Sequence, residues 1–122
     1  MNRKAPNKLG KTGENIATRY LINKGYKILH RNWFFNKKEI DIVAQKNNLL
    51  VIVEVKARTD DGFEKPGDLV DKRKENFLVE ATDAYIREFE VDMEVQFDVI
   101  FVFFHSEKPV IEHIESAFYP TI

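Results

Sequence analysis

The order of the predicted elements indicates an α/β domain, in which a mixed five-stranded sheet carries helices on both faces. Apolar spacing along the 122 residues predicts a helix, three strands, a second helix and two further strands. The second helix joins the third and fourth strands, so those strands should be parallel and their connection right-handed. The first three strands follow one another through short connections, and we expect them to form an antiparallel meander.

The first helix is predicted from Thr12, a suitable N-cap residue, to about Lys24, where Gly25 ends it. Residues 1–11 are polar and basic and should form a flexible arm, which leaves residues 12–122 as a single domain. The inward stripe of the helix consists of Ile16, Ala17, Tyr20 and Leu21.

The second helix should begin near Asp71 and end around Phe89. Its inward residues recur at spacings of three and four: Phe77, Leu78, Ala81, Tyr85 and Phe89. Lys74 falls on this inward stripe, and Glu14 falls on that of the first helix, although both side chains are charged. Strands are predicted over residues 26–33, 39–45, 49–56, 95–104 and 110–114, with a loop over residues 58–67.

The second and third strands should form a hairpin around the pair Asn47-Asn48. A two-residue turn of this kind needs positive φ angles, which asparagine tolerates better than most residues. The resulting register places Asp41 opposite Glu54 and Glu39 opposite Lys56. Because side chains alternate with period two, these four charged residues should emerge from one face of the sheet.

Two interpretations of this charged end of the hairpin remain open. Directly opposed Cβ atoms lie roughly 4.5 to 5.5 Å apart, and like charges placed there repel. Asp41 and Glu54 are therefore well placed to hold a divalent cation. Alternatively, Lys56 forms an ordinary ion pair with Glu39 or Glu54, and Asp41 accepts turn hydrogen bonds at a sheet edge.

Composition narrows the class of protein. The chain has no cysteine, no apolar stretch near the roughly 18 residues that cross a bilayer, and no signal-peptide pattern, so we expect a cytoplasmic protein without a membrane partner. The net charge of -1 conceals ten basic residues and one acid in residues 1–38, against nine basic and nineteen acidic residues thereafter. The basic part is suited to follow a phosphate backbone, or it is simply a solvated surface.

Other chemistries find little support in the sequence. His30, His105 and His113 lack zinc-ligand spacing, and no glycine-rich phosphate loop or serine elbow motif is present. The aromatic run from Trp33 to Phe35 lies beside Lys37 and Lys38. Such a run either stacks on unpaired bases or forms a core edge or a dimer contact.

Taken in order, the motifs resemble the YraN family of small bacterial proteins. The resemblance covers about residues 10–118 and is carried by Gly13-Glu14, Ala17, Tyr20-Leu21, Gly25-Tyr26, Arg31-Asn32, Glu39-Ile-Asp41, Val53-Glu54-Val-Lys56, Arg58, Phe63, Pro66, Val70, Lys74 and Phe97-Asp-Val-Ile100. That family is similar in fold to Holliday junction resolvases and restriction endonucleases, the PD-(D/E)xK nucleases. The chain departs from the family pattern at Lys38 and Glu64, where Gly is common, and at Gln96, where Arg is common.

The resemblance implies a metal site for Mg²⁺ or Mn²⁺. Asp41 and Glu54 would be its carboxylate ligands, with the Val55 carbonyl as a further ligand. Lys56 would orient or activate the attacking water, and Glu14 would support the metal or its waters. Without the resemblance, Glu14 is interpreted as an acid in the first turn of the helix, where the helix dipole favours a negative charge.

The resemblance also implies phosphate contacts, for which Arg31, Lys37, Lys38 and Lys74 are the candidates. Lys74 has the simpler interpretation of a solvated helix start, and Asp98 is interpreted as a hydrogen-bonded structural acid. The expected function is a metal-dependent endonuclease that cuts DNA, on branched or single-stranded sites, as a homodimer when two symmetric cuts are needed. The alternatives are a non-catalytic module that retains the nuclease fold to bind nucleic acid or a protein, and a purely structural domain.

Overall fold

The structure, a computed structural model, describes residues 4–59 and 71–120, with side chains from residue 8 onward. Most of the predicted loop over residues 58–67, with Phe63, Glu64, Pro66 and Val70 of the family pattern, lies outside these ranges. The described elements are α1 (Lys4–Asn23), β1 (Lys27–Phe35), β2 (Lys38–Lys46), β3 (Leu49–Arg58), α2 (Lys72–Phe89), β4 (Glu94–Phe103) and β5 (Val110–Phe118).

The sheet confirms the predicted α/β class. Its strand order is β1-β2-β3-β4-β5, with β3 and β4 parallel and every other neighbouring pair antiparallel. One apolar cluster contains Ala17 and Leu21 of α1, and a second contains Leu78, Ala81 and Tyr85 of α2. Helices therefore cover both faces of the sheet, and neither described helix is long and apolar enough to cross a membrane.

Helix α1 begins earlier than the sequence predicts. It starts at Lys4 rather than at Thr12, so residues 4–11 are helical and the predicted helix start is wrong. The flexibility of the arm stays a prediction. Pro6 falls in the first turn, where the missing N–H interrupts no helical hydrogen bond. Glu14 consequently lies about three turns into the helix, which removes its interpretation as a first-turn acid. The predicted stop is confirmed, since Gly25 follows the helix with a φ of 95°.

Helix α2 has both predicted ends. Asp71 is its N-cap and accepts a hydrogen bond from the Lys74 N–H at 2.8 Å. Phe89 is its last residue, and Glu90 then adopts the left-handed conformation that commonly ends a helix. Asp71 thereby sets the first turn of α2, and with it the position of the Lys74 side chain.

The hairpin between β2 and β3 has the predicted register over its turn-proximal half. Asn47 adopts a φ of 54°, and five residue pairs run from Lys46 with Leu49 to Ile42 with Val53. The described ladder ends there, and the Val55 N–H instead donates to the side chain of Asp41 at 2.8 Å. The expected backbone pairing of Asp41 with Glu54 and of Glu39 with Lys56 is therefore not part of the ladder. β2 and β3 separate at this point, at the open end of the hairpin.

Candidate metal centre

The alternation of side chains along β2 breaks at Asp41. Ile40 packs in the cluster on the α2 side of the sheet, whereas Ile42 packs in the cluster on the α1 side. In a regular strand, residues two apart share a face, so the backbone must rotate between them. This rotation directs Asp41 into the space between β2 and β3, where its carboxylate accepts a hydrogen bond from the backbone N–H of Val55.

The break corrects the prediction that four charged residues share one face. Glu39 lies beside Glu14 of α1, while Glu54 pairs with Lys74 of α2. Asp41 stands between the two groups and interacts electrostatically with both Glu54 and Glu14. The site is therefore a cleft at the end of the hairpin that receives residues from both helices, rather than a patch on one surface of the sheet.

Three carboxylates meet on the α1 side of this cleft. Glu14, Glu39 and Asp41 each offer an oxygen, and these oxygens all lie within 4.8 Å of one another. Sequence reasoning placed Glu14 and Asp41 in the site but left Glu39 without a role beyond an ion pair. The signal that would have found it is the two-residue spacing of Glu39 and Asp41 on one strand.

Burial, followed by the neighbouring charge of Glu54, raises the pKa of Asp41 to about 8. The hydrogen bond from the Val55 N–H opposes this shift without cancelling it. The fold therefore disfavours the ionised carboxylate, as expected where several acids share a partly buried site. A cation in the cleft would reverse that preference.

Glu54 has an incompletely satisfied carboxylate. Its side chain is 14% exposed, and the Lys74 Nζ lies 3.4 Å from its Oε1. Within the described part of the chain, that buried oxygen has no hydrogen-bond partner of good geometry. Burial raises the pKa of Glu54, while the charges of Lys74 and Lys56 act in the opposite direction. Glu54 is thus held by cations, and its Oε1 lies at ion-pair distance from Lys74 without a hydrogen bond of good geometry.

Asn32 is a site residue that sequence reasoning did not assign. It adopts a φ of 52°, in the left-handed region that asparagine enters more readily than most residues. From there its amide nitrogen donates to Glu14 Oε1 at 2.9 Å and also to Glu39 Oε1, while Lys11 donates to its oxygen at 3.2 Å. Asn32 therefore holds two like-charged carboxylates together.

Gly13 explains how α1 comes close enough to contribute Glu14. A Cβ on Gly13 would lie 3.0 Å from the Cβ of Ala57 in β3, which is tighter than real packing allows without a shift. The absence of a side chain at Gly13 thus lets the helix approach the strand beside Lys56. The next residue of the helix, Glu14, then reaches the cleft.

The predicted basic residues take different positions around the cleft. Arg31 is 30% exposed, with its Nη2 atom 3.6 Å from Glu14 Oε1. Lys37 lies in the exposed turn between β1 and β2, and Lys38 is exposed, with its Nζ 5.7 Å from the centroid of the Phe77 ring. Lys74 is 32% exposed and contacts Glu54, which rules out a purely solvated helix start. The phosphate contacts of these residues stay a prediction.

Lys56 is half-buried on β3 and lies on the side of the sheet that α2 covers. Its Nζ is 5.9 Å from the centroid of the Phe101 ring, and its charge acts on Glu54. Val55 takes part in the site through its N–H, which donates to Asp41, and the role of its carbonyl as a ligand stays a prediction. The donors are all oxygens, including one unsatisfied carboxylate oxygen, and this set fits Mg²⁺ or Mn²⁺.

The buried Asp98 belongs to a separate network, as interpreted from the sequence. It is 2% exposed and makes hydrogen bonds to His113 Nε2 at 2.7 Å, Gln96 Nε2 at 3.0 Å and the Ser116 N–H at 3.0 Å. Gln96, one of the departures from the family pattern, thus supports a structural acid.

A mixed sheet covered by helices on both faces, with an acidic cleft where two strands separate, defines this chain as an α/β protein of nuclease-like fold. The chain belongs to the family described as Uncharacterised protein family UPF0102, the YraN family, whose model matches residues 13–102. The resemblance inferred from the motifs is therefore confirmed.

Bacterial relatives match the chain over nearly its whole length. A UPF0102 protein of Phocaeicola vulgatus is 49% identical over 116 residues, which cover 95% of this chain and 96% of the relative. A UPF0102 protein of Flavobacterium psychrophilum is 48% identical over 93% of this chain and 95% of its own length. A UPF0102 protein of Bacteroides thetaiotaomicron is 48% identical over 95% of this chain and 96% of its own.

Proposed function

We propose that the protein is a Mg²⁺- or Mn²⁺-dependent endonuclease that hydrolyses phosphodiester bonds in DNA. The observation that carries this proposal is the convergence of oxygens of Glu14, Glu39 and Asp41 within 4.8 Å of one another. They converge although the surroundings disfavour the ionised form of Asp41. Stability alone would favour neutral side chains in such a position. Functional sites are where such strongly shifted carboxylates concentrate.

Glu14, Glu39 and Asp41 are the residues that would hold a divalent cation in the cleft. Glu54 interacts electrostatically with Asp41 and would assist them. When bound, the cation would polarise a phosphate oxygen and lower the pKa of a nearby water. The Val55 N–H holds the carboxylate of Asp41 in place for this task.

The basic residues supply the remaining parts of the reaction. Lys56 would orient the attacking water and offset negative charge that develops on the phosphate. The effect of its charge on Glu54 supports this role. The water oxygen forms a bond to phosphorus, the bond to the leaving sugar oxygen breaks, and a water proton ends on that leaving oxygen. Lys74 and Arg31, which pair with Glu54 and Glu14 respectively, would contact the flanking phosphates.

Cleavage assays test this proposal directly. Purified protein should cut at least one of branched, nicked, flapped or linear DNA in the presence of Mg²⁺ or Mn²⁺, and chelation should stop the reaction. Lys56→Ala and Asp41→Asn should each abolish cleavage. Cutting that survives in both variants would come from a contaminating nuclease, and the absence of cutting on every substrate would favour the non-catalytic module.

Calorimetry with Mn²⁺ tests the metal site separately. Asp41→Asn and Glu54→Gln should each weaken binding strongly, because each removes a charged oxygen donor. Glu80→Gln removes one negative charge from an exposed position on α2 and serves as the matched control. Equal Mn²⁺ binding by the wild type and all three variants would show that the metal binds elsewhere, and the proposed metal site would be wrong.

A further inference from the structure

Phe34 is an exposed aromatic residue between two residues that face the core. Trp33 packs against Tyr85 with ring centroids 5.1 Å apart, and Phe35 packs against Phe77 at 6.3 Å. Phe34 points to the opposite side of β1, as strand alternation requires, and remains 65% exposed. The aromatic run therefore divides into two core residues and one ring that faces solvent.

The ring of Phe34 forms part of the wall of the acidic cleft. A cavity of about 590 Å³ is lined by Lys11, Glu14, Asn32, Phe34, Glu39 and Asp41. An apolar ring gains little by facing a group of carboxylates, and a small hydrated cation has no need of it. Its position suits a ligand with both a charged and a flat apolar part.

Basic residues lie near the ring along the chain and in the cavity. Lys11 of α1 lines the same cavity as Phe34, and Lys8 is exposed one turn earlier on that helix. Lys37 is exposed in the turn that follows β1, whereas Lys38 lies over Phe77 on the other side of the sheet. Lysines that can follow phosphates, beside an aromatic face that can stack on bases, are the combination by which proteins hold single-stranded nucleic acid. In a continuous duplex both faces of each base are covered by neighbouring bases, so the ring would have no base to stack on.

We propose that Phe34 stacks on an unpaired base beside the scissile phosphate, so that the substrate is DNA with a single-stranded segment, a flap or a branch. This inference rests on the proposed nuclease function for its placement beside a scissile phosphate. The stacking itself depends only on the exposure of the ring and on the lysines near it. Phe34 is a specificity-determining residue, and continuous duplex is the disfavoured substrate.

Binding measurements without cleavage test the stacking. DNA carrying 2-aminopurine in a single-stranded segment is titrated with Lys56→Ala protein, with and without the additional change Phe34→Ala. Stacking on Phe34 should change the fluorescence of the base, and Phe34→Ala should remove this change and weaken single-strand affinity by roughly 5- to 150-fold. Affinity for continuous duplex should stay the same, and Phe34→Trp should restore single-strand binding.

Tyr119→Ala is the matched control, because Tyr119 is 72% exposed and follows β5, at the opposite edge of the sheet. Equal losses on duplex and single strands, or no loss on either, would overturn the inference. A shift from dimer to monomer on Phe34→Ala with unchanged DNA affinity would also overturn it, since the ring would then be a contact between copies.

The two proposals fail in distinguishable ways. If the protein binds single strands through Phe34 but cuts no DNA, the nuclease function is wrong and the stacking stands. If the protein cuts DNA and Phe34→Ala changes neither affinity nor preference among substrates, the nuclease function stands and the stacking is wrong.

Discussion

Asp41 occupies a position that favours its protonated form, because burial and the charge of Glu54 both act against ionisation. In the absence of metal, Asp41→Asn should therefore stabilise the protein at pH 8 and above by about 0.5–2 kcal/mol. The asparagine oxygen can still accept the Val55 N–H. Thermal unfolding in the presence of a chelator measures the change, and a clear fall in Tm would indicate a structural role for the carboxylate.

The same residue predicts how stability depends on pH. The pKa of Asp41 rises from an ordinary 3.8 to about 8 in the folded protein, so between these values the folded state holds a proton that the unfolded chain has lost. Stability of the metal-free protein should therefore fall as pH rises from about 4 to about 8. The burial of Glu54 acts in the same direction.

Urea unfolding across this pH range tests the slope, which Asp41→Asn should flatten. The affinity for Mn²⁺ should rise over the same range, because the cation binds the ionised carboxylates. If wild-type and Asp41→Asn proteins showed the same dependence of stability on pH, Asp41 would be ionised near its ordinary pKa.

Asn32 matters because its side chain donates to two carboxylates. Asn32→Asp replaces the donating amide with a fourth acid beside Glu14, Glu39 and Asp41, and should destabilise the metal-free protein by about 1–3 kcal/mol. Added Mn²⁺ should offset part of this loss. Asn36→Asp is the control, because Asn36 has nearly the same left-handed backbone, with a φ of 53°, in an exposed turn. Equal unfolding free energies for the two variants would contradict the role of Asn32.

At the scale of elements, the distance between α1 and β3 controls whether Glu14 reaches the cleft. Gly13→Ala places a methyl group 3.0 Å from Ala57 and should cost about 1–3 kcal/mol of stability. It should also weaken Mn²⁺ binding, because the helix must move away from the strand. Unfolding and calorimetry on the same variant measure both effects.

Gly10→Ala is the control on the same helix, since a Cβ there meets nothing within 4 Å. That change should stabilise the protein by about 0.4–1 kcal/mol through backbone entropy and leave Mn²⁺ binding unchanged. If Gly13→Ala behaved like Gly10→Ala, the close approach would have no part in forming the site.

The end of pairing between β2 and β3 is the second element-level feature that forms the site. Both strands continue past Ile42 and Val53, but Asp41 turns into the gap between them and binds the backbone of β3 with its side chain. A fully paired hairpin would have placed all the charges on one face. The separation opens the cleft to both helices and allows Glu14 and Lys74 to reach it from opposite sides.

At the scale of the whole molecule, the uneven charge distribution predicts how nucleic acid should bind. Lys37→Gln and Lys38→Gln should each weaken binding to single-stranded and duplex DNA equally. Each should also reduce the slope of log affinity against log salt concentration by about one. Lys108→Gln, an exposed lysine between β4 and β5, is the control. Affinity measured over a series of salt concentrations separates this uniform effect from the loss of single-strand affinity alone that is expected of Phe34→Ala. An unchanged salt slope would exclude both lysines from phosphate contact.

Periodicity and turn chemistry predicted most of the fold. The element order, both ends of α2 and the hairpin register from Lys46–Leu49 to Ile42–Val53 are local properties, set by residues within a few positions of one another. The parallel pairing of β3 with β4 follows from that element order. The start of α1 was missed because no strong capping signal marks residues 4–11. Of the candidate site, Asp41, Glu54, Lys56 and Glu14 were found because acids and a lysine on apolar stripes are unusual.

The sequence by itself determined the α/β class, the family motifs and the charged end of the hairpin, since each depends on spacing along the chain. Only the tertiary structure decided that Glu39 and Asn32 join the site, that Glu54 faces Lys74 and that Phe34 borders the cleft. These contacts depend on the rotation of β2 at Asp41 and on the approach of α1 at Gly13. Both result from packing between segments distant in sequence, which no local pattern records.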